Sequence, residues 1–234
     1  MIALLERRPD APGREALALY DGAPLAARAH VQIRWATCPL PGVAALVPDQ
    51  GRILDVGCGH GLFSAYLALD SAERDVHGVD IDAAKIALAR EAARRSGDAF
   101  TADVAPSGQL PAGPWDVITI VDVLYLLDAD GQRDLLTACR ALLAPGGILV
   151  VKEMGTTPRW KARLTLLQET MSVRVLRITE GASLTFVPPE TVAGWLRNLG
   201  LEVQSLRLDR GRLHPHHVLI ATDAPGAPRS RQVG

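Results

Sequence analysis

Along this chain, short apolar runs alternate with longer stretches whose apolar positions recur every three or four residues, the signature of strands interleaved with helices. The first run, Ile53 to Val56, enters a turn built on Gly57, Gly59 and Gly61, and a helix is expected from near Leu62. A second strand, about Asp75 to Val79, ends in Asp80 and is followed by a helix from roughly Ala83 to Ser96, with Asp82 as its N-cap. A short third strand near Ala99 to Thr101 ends at Ala102 and Asp103. The fourth, Trp115 to Val121, leads into Asp122, Val123, Leu124 and Tyr125, and Asp122 suits a helix cap or a ligand's amino group equally. A helix from about Gly131 to Leu143 stops before Pro145, Gly146 and Gly147, and a fifth strand, Ile148 to Val151, delivers Lys152, Glu153 and Met154.

The flanks read differently. The first fifty residues form a helical lead-in, with patches near Glu15 to Tyr20 and Leu25 to Ala36 broken by Pro24, Pro39 and Pro41. Tyr20 and Trp35 suit core packing better than a pocket wall. From Met154 to Phe186, Trp160, Leu164, Leu167, Met171 and Val175 make an apolar stripe flanked by Arg159, Lys161 and Arg163, expected as a lid-like insertion over residues 154–187. A further helix spans Glu190 to Asn198. Leu201 to Leu208 and His217 to Thr222 read as strands joined by a turn near Arg210 and Gly211. Residues 223–234 form a Pro/Gly/Arg-rich tail expected to be disordered.

Strands separated by helices imply right-handed βαβ units and a parallel sheet covered on both faces, whose ligands bind beyond the strand C-terminal ends. Gly57, Asp80, Asp103, Asp122 and Lys152 to Met154 all fall at such ends, which points to one shared site. Glycine admits positive φ and close ligand approach, and the following helix N-terminus presents unpaired N–H groups. If the strand from Leu201 is parallel to the others, His214 and His216 join this edge.

Composition narrows the chemistry. A net charge of -1 leaves no basic field to gather nucleic acid. Cys38, Cys58 and Cys139 are too scattered for a disulfide framework or a zinc site, so a reducing cytoplasm is expected. Met1 to Leu5 is followed at once by charge and proline, too soon for a signal peptide, and the apolar stretch Val117 to Leu127 falls short of a membrane span. His214 and His216 alone are too few for a metal site, and no metal is expected.

With these residues assembled, the chain resembles the class I S-adenosylmethionine-dependent methyltransferases over roughly Gly51 to Thr222. Asp55, Gly57, Gly59 and Gly61 match the family's acidic glycine-rich turn, Asp80 its second-strand acid and Asp103 its adenine-side acid. WDVITIVDVLYLL matches its fourth-strand segment, and Pro145-Gly146-Gly147 its element before the fifth strand. The resemblance implies a three-layer α/β sandwich, a doubly wound, mostly parallel seven-stranded sheet with one antiparallel strand near the C-terminus, in a domain spanning residues 51–222. It implies S-adenosyl-L-methionine as cofactor and S-adenosyl-L-homocysteine as product. Cofactor-binding candidates are Asp55, Gly57, Cys58, Gly59, Asp80, Ile81, Asp103, Val104 and Val121. Cys58 is otherwise a small loop residue with no reactive role. A dinucleotide of the NAD type would need a third glycine where Leu62 stands.

The expected reaction is in-line methyl transfer to a small, hydrophobic acceptor, with the nucleophile held about 3 Å from the methyl carbon. A hydroxyl acceptor needs a base, for which His214 and His216, then Glu153 and Tyr125, are the candidates. O-methylation is the first choice, as in secondary metabolism. C-methylation of a quinone or lipid-like acceptor is the alternative within the class, and a non-catalytic adenosyl-ligand binder or an NAD-type dinucleotide binder the alternative outside it. The stretch Val121-Asp122-Val123-Leu124 departs from the Asn/Asp-Pro-Pro-aromatic motif of enzymes that methylate nucleic-acid amino groups. Partners are therefore a small molecule and no nucleic acid. The cations beside Trp160 leave contact with an anionic membrane open, and the protein is expected as a monomer or homodimer.

Overall fold

The apolar runs assemble into one sheet. In the computed structural model the described residues are 8–106, 109–154, 185–208 and 216–223. In order they form α1 (Ala11–Ala18), α2 (Leu25–Thr37), α3 (Leu40–Ala44), β1 (Gly51–Val56), α4 (Leu62–Asp70), β2 (Arg74–Asp80), α5 (Ala83–Arg95), β3 (Phe100–Val104) and β4 (Trp115–Val121). These are followed by a 3₁₀ turn (Leu124–Leu126), α6 (Ala129–Leu142), β5 (Leu143–Met154), α7 (Pro189–Asn198), β6 (Leu201–Arg207) and β7 (His216–Asp223). The seven described strands lie in the order β3-β2-β1-β4-β5-β7-β6. The β3-β2, β2-β1, β1-β4 and β4-β5 pairs are parallel, and β7 is antiparallel to both β5 and β6. The sheet is therefore mostly parallel with one antiparallel strand near the C-terminus.

Strand order reverses between β1 and β4. Connections leaving those two neighbours diverge, and the crevice beyond their C-terminal ends is where such folds bind ligands. The glycine turn follows β1 and Asp122 follows β4, so both stand at this crevice. Because β7 runs against β5, its first residues return to the same edge: His216 is opposite Met154 and His217 opposite Glu153.

Alternation along the strands divides the core in two. Ile53, Val76, Val117, Val150 and Val218 face α1 to α5, packing with Val31, Trp35, Tyr66, Ile86 and Ala89. Leu54, Val56, Ile118, Ile120, Leu149 and Val151 face α6 and α7, packing with Leu136, Cys139, Val192 and Leu196. Burial on both faces is why the central strands read as unbroken apolar runs.

Three boundaries differ from expectation. Helix α1 starts earlier, at Ala11, because the Asp10 carboxylate accepts from the Gly13 N–H (2.9 Å) and a proline occupies the first turn. Strand β3 runs to Val104, so Asp103 lies within it, opposite Val79, rather than beyond its end. Pro145, Gly146 and Gly147 do not separate α6 from the fifth strand: β5 begins at Leu143, opposite Trp115, and pairing resumes with Ile148 opposite Val117. The intervening bulge places Gly146 at φ 73°, where its N–H donates to Asp223 (3.1 Å).

Candidate active site

The glycine turn is shaped by what surrounds it. Gly57, Gly59 and Gly61 have φ of 74°, 57° and 81°. A Cβ on Gly57 would meet Val123 Cγ2 at 2.4 Å, so the turn packs against the chain that follows β4. At Gly59 nothing among the described residues lies within 4 Å of the same position, which leaves open space above that backbone. The Gly59 N–H donates to Asp80 Oδ2 (2.9 Å), and Asp80 Oδ1 accepts from the Asp82 N–H (2.9 Å). Asp80 thus ties the end of β2 to the glycine turn. Asp82 caps α5 as its position implied, accepting from Ala84 and Lys85.

Asp55 is buried, with Ser64 Oγ donating to Oδ2 (2.7 Å) and Thr119 Oγ1 to Oδ1 (2.9 Å). Burial raises its pKa against the lowering effect of those two hydroxyls. Its visible contacts lock α4 and β4 onto β1. Burial, then Asp55 and Asp80, push the Cys58 thiol well above its ordinary value, so it stays protonated at neutral pH. Ile81 and Val104, 65% and 41% exposed, present apolar surface beside Asp80 and Asp103. Asp103 is exposed and pairs with Arg90, with His77 Nε2 at 3.7 Å.

Across the crevice the strand ends carry charge. Asp122 is buried in the left-handed region, at φ 57°. Lys152 Nζ donates to both of its oxygens (2.6 Å each) and Arg34 of α2 to Oδ2 (2.6 Å), while its own N–H donates to the Lys152 carbonyl (2.8 Å). Burial alone would raise the Asp122 pKa, but Lys152 and Arg34 overcome it and hold the carboxylate below its usual range. Asp122 is therefore no helix cap. Asp128 caps α6, accepting from the Gly131 N–H (2.8 Å), because only there does the chain turn into α-helix.

Glu153 follows Lys152 on β5. Its Oε1 accepts from the N–H groups of Val123 (3.1 Å) and Leu124 (2.9 Å) at the start of the 3₁₀ turn. Burial, then the Asp122 charge, push its carboxyl up to about 8. Tyr125 is buried and stacks on Phe186, ring centroids 5.3 Å apart and 7° from parallel, and the Thr185 N–H donates to its carbonyl (2.9 Å). His216 is 2% exposed at the start of β7 and adds to the lowering of the Asp122 pKa. His214 and the apolar stripe from Trp160 to Val175 lie outside the described residues.

The lead-in reaches this edge at several points that the sequence did not disclose. Tyr20 and Trp35 are both buried in the core, as packing residues. The Tyr20 hydroxyl also donates to the His60 carbonyl within the glycine turn (2.6 Å). His30 of α2 lies against His60, ring centroids 4.8 Å apart, and burial, then His60, lower the His30 pKa to about 4, so it is neutral. Arg34 also donates to the Val121 carbonyl (3.0 Å). One signal was available: His30 and Arg34 are four apart, on one face of α2.

Among the described residues no group of three or more His, Cys, Asp or Glu is placed to hold a metal ion, and no helix is long and apolar enough to cross a membrane.

A glycine turn at the switch point, a second-strand carboxylate tied to it and an antiparallel seventh strand define the class I S-adenosylmethionine-dependent methyltransferase fold. A family model described as a methyltransferase domain matches residues 29–206, and the chain belongs to that family. A ubiquinone biosynthesis O-methyltransferase of Xanthomonas axonopodis pv. citri is 31% identical over 166 residues, covering 70% of this chain and 67% of that protein. A second, from Xanthomonas euvesicatoria pv. vesicatoria, is 30% identical, and the chain spans 64% of its length. Among solved structures, magnesium protoporphyrin IX methyltransferase from Synechocystis PCC 6803, with bound S-adenosylhomocysteine, shares the fold at a TM-score of 0.63 and 18% identity. That match covers 90% of this chain and 94% of the other.

Proposed function

We propose that this protein binds S-adenosyl-L-methionine over the glycine turn and methylates a hydroxyl of a small, hydrophobic acceptor. An adenosyl ligand suits the residues present: open space above Gly59, the Asp80 carboxylate at the turn, and the apolar surfaces of Ile81 and Val104 beside Asp103. In this reading Gly57, Cys58 and Gly59 lie along the methionine portion, Asp80 takes the ribose hydroxyls and Asp103 the adenine side. Asp55 and Val121 shape the turn from beneath. When bound, the cofactor supplies a methyl group already activated on a sulfonium.

The chain's own task is to hold the acceptor in line and remove its proton. Glu153 carries this reading, because its carboxyl, raised to about 8, stands at the end of β5 beside the bend that follows β4. A base poised near the operating pH suits a phenolic hydroxyl better than an ordinary carboxylate does. Oε1 is occupied by the two backbone N–H groups, so Oε2 receives the proton. His216 and Tyr125 border the same edge as acceptor contacts. The names of the curated relatives support an oxygen acceptor.

The test is transfer from cofactor bearing a deuterated methyl group to a panel of phenols, carboxylic acids and quinone precursors, with the labelled position read by NMR. Label on oxygen is expected. Label on a ring carbon would replace this reading with C-methylation, and cofactor binding without transfer across the panel would identify a non-catalytic adenosyl-ligand binder.

A further inference from the structure

Side chains from α2 and β5 converge on the chain just beyond β4. Asp122 leaves the strand in a left-handed bend that side chains other than glycine rarely adopt, asparagine and aspartate being the most tolerant. Its carboxylate is gripped by Lys152 of β5 and Arg34 of α2, and Cys38 Sγ lies 3.7 Å from Oδ2. The next two residues do separate work. Val123 fills the space that a Cβ on Gly57 would need, and the N–H groups of Val123 and Leu124 converge on Glu153 Oε1. If the chain left β4 in the ordinary extended direction, neither contact would form.

We propose that Asp122 is a positioning residue: clamped between Lys152 and Arg34, it holds the bend that seats Val123 on the glycine turn and aims two backbone N–H groups at Glu153. One buried carboxylate then sets both the cofactor side and the acceptor side of the site. For its bearing on catalysis the proposal rests on Glu153 acting as the base, but its tests read binding and titration. Among the described residues, the charged and titratable groups around Glu153 are Asp122 at the end of β4, Lys152 beside it on β5, Tyr125 on the 3₁₀ turn whose N–H groups it accepts, and His216 and His217 at the start of β7, with Arg34 and Cys38 reaching it through Asp122. Asp122 and Lys152 act on the Glu153 carboxyl with opposite sign, burial being the larger influence.

The experiment uses the full chain with ¹³C-labelled glutamate carboxyls, S-adenosylhomocysteine calorimetry, and the variants Asp122→Asn and Lys152→Met. Asn tolerates the bend but carries no charge. Asp122→Asn should weaken S-adenosylhomocysteine about tenfold and lower the Glu153 titration midpoint by about one pH unit. Lys152→Met, which leaves Asp122 paired with Arg34, should raise that midpoint. A midpoint that moves the same way in both variants, or in neither, overturns the proposal. So does Asp122→Asn affinity within twofold of the parent. Should Asp122→Asn fail to fold, Lys152→Met, which removes one side of the clamp, decides through the ligand: S-adenosylhomocysteine weakened more than twofold supports the proposal, and affinity within twofold of the parent sinks it. If Glu153→Gln kept full methyl transfer, Glu153 would be lost as the base while these two readouts stood on their own.

Discussion

Alanine at two glycines of the same turn should produce opposite patterns of damage. Both positions have φ in the left-handed region, where a Cβ costs roughly 1 kcal/mol. At Gly59 that is the structural cost, since nothing among the described residues lies within 4 Å of the added methyl, and a protein of this size should lose about 2 to 4 °C in Tm. At Gly57 the methyl would meet Val123 Cγ2 at 2.4 Å and Cγ1 at 3.1 Å. Overpacking of that kind adds about 1 to 3 kcal/mol, bringing Gly57→Ala to about 2 to 4 kcal/mol. Ligand binding should rank the other way relative to stability: the Gly59→Ala methyl occupies the space assigned to the cofactor, so S-adenosylhomocysteine should bind at least about tenfold more weakly, or roughly 1.4 kcal/mol. Thermal unfolding with and without ligand, with calorimetry at a temperature where both variants are folded, measures the two quantities separately. Gly59→Ala binding within threefold of the parent would refute the placement of the ligand over that backbone.

Glu153→Gln keeps an oxygen for the N–H groups of Val123 and Leu124 but cannot take a proton, so turnover should fall on the order of a hundredfold. The parent's activity should rise with pH through about 8, and that rise should vanish in the variant. Because the folded value lies above the ordinary 4.5, protonation of Glu153 stabilises the fold fully below pH about 4.5. That contribution is lost as pH rises through about 8. Glu153→Gln should therefore melt above the parent at pH 9 and not at pH 5; equal melting at both would remove the raised carboxyl. Asp80→Ala should weaken S-adenosylhomocysteine by roughly 1.5 to 3 kcal/mol, the scale of a charge-assisted hydrogen bond, and unchanged affinity takes Asp80 out of the site. Asp55→Ala strands the buried hydroxyls of Ser64 and Thr119 and should lower unfolding free energy by about 2 to 4 kcal/mol in denaturant titration.

Much of the framework was legible because its causes are local. Glycines at positive φ, apolar runs buried on both faces, and acids placed where those runs stop are features a few residues long. The matched motifs named the family on the same basis. Boundaries slipped where a contact distant in sequence intervened, as at Gly146, whose bulge is completed by Asp223 of the neighbouring strand β7. The glutamate after Lys152 was visible as a candidate, but its elevated carboxyl comes from burial and the Asp122 charge, which outweigh the lowering effect of the Val123 and Leu124 N–H groups, and all of these are contributed by tertiary contacts.

By itself the sequence determined the alternation of strands and helices, the class of fold it resembles and the edge that gathers the glycine turn and the strand-end acids, since period and glycine chemistry act over single elements. Only the tertiary structure decided how that edge is charged. Arg34, Asp122 and Lys152 come from a lead-in helix, a strand end and the neighbouring strand, and burying Lys152 is tolerable only because the Asp122 carboxylate meets it there. Pairing of that kind follows from strand order and register, which no short stretch of chain contains.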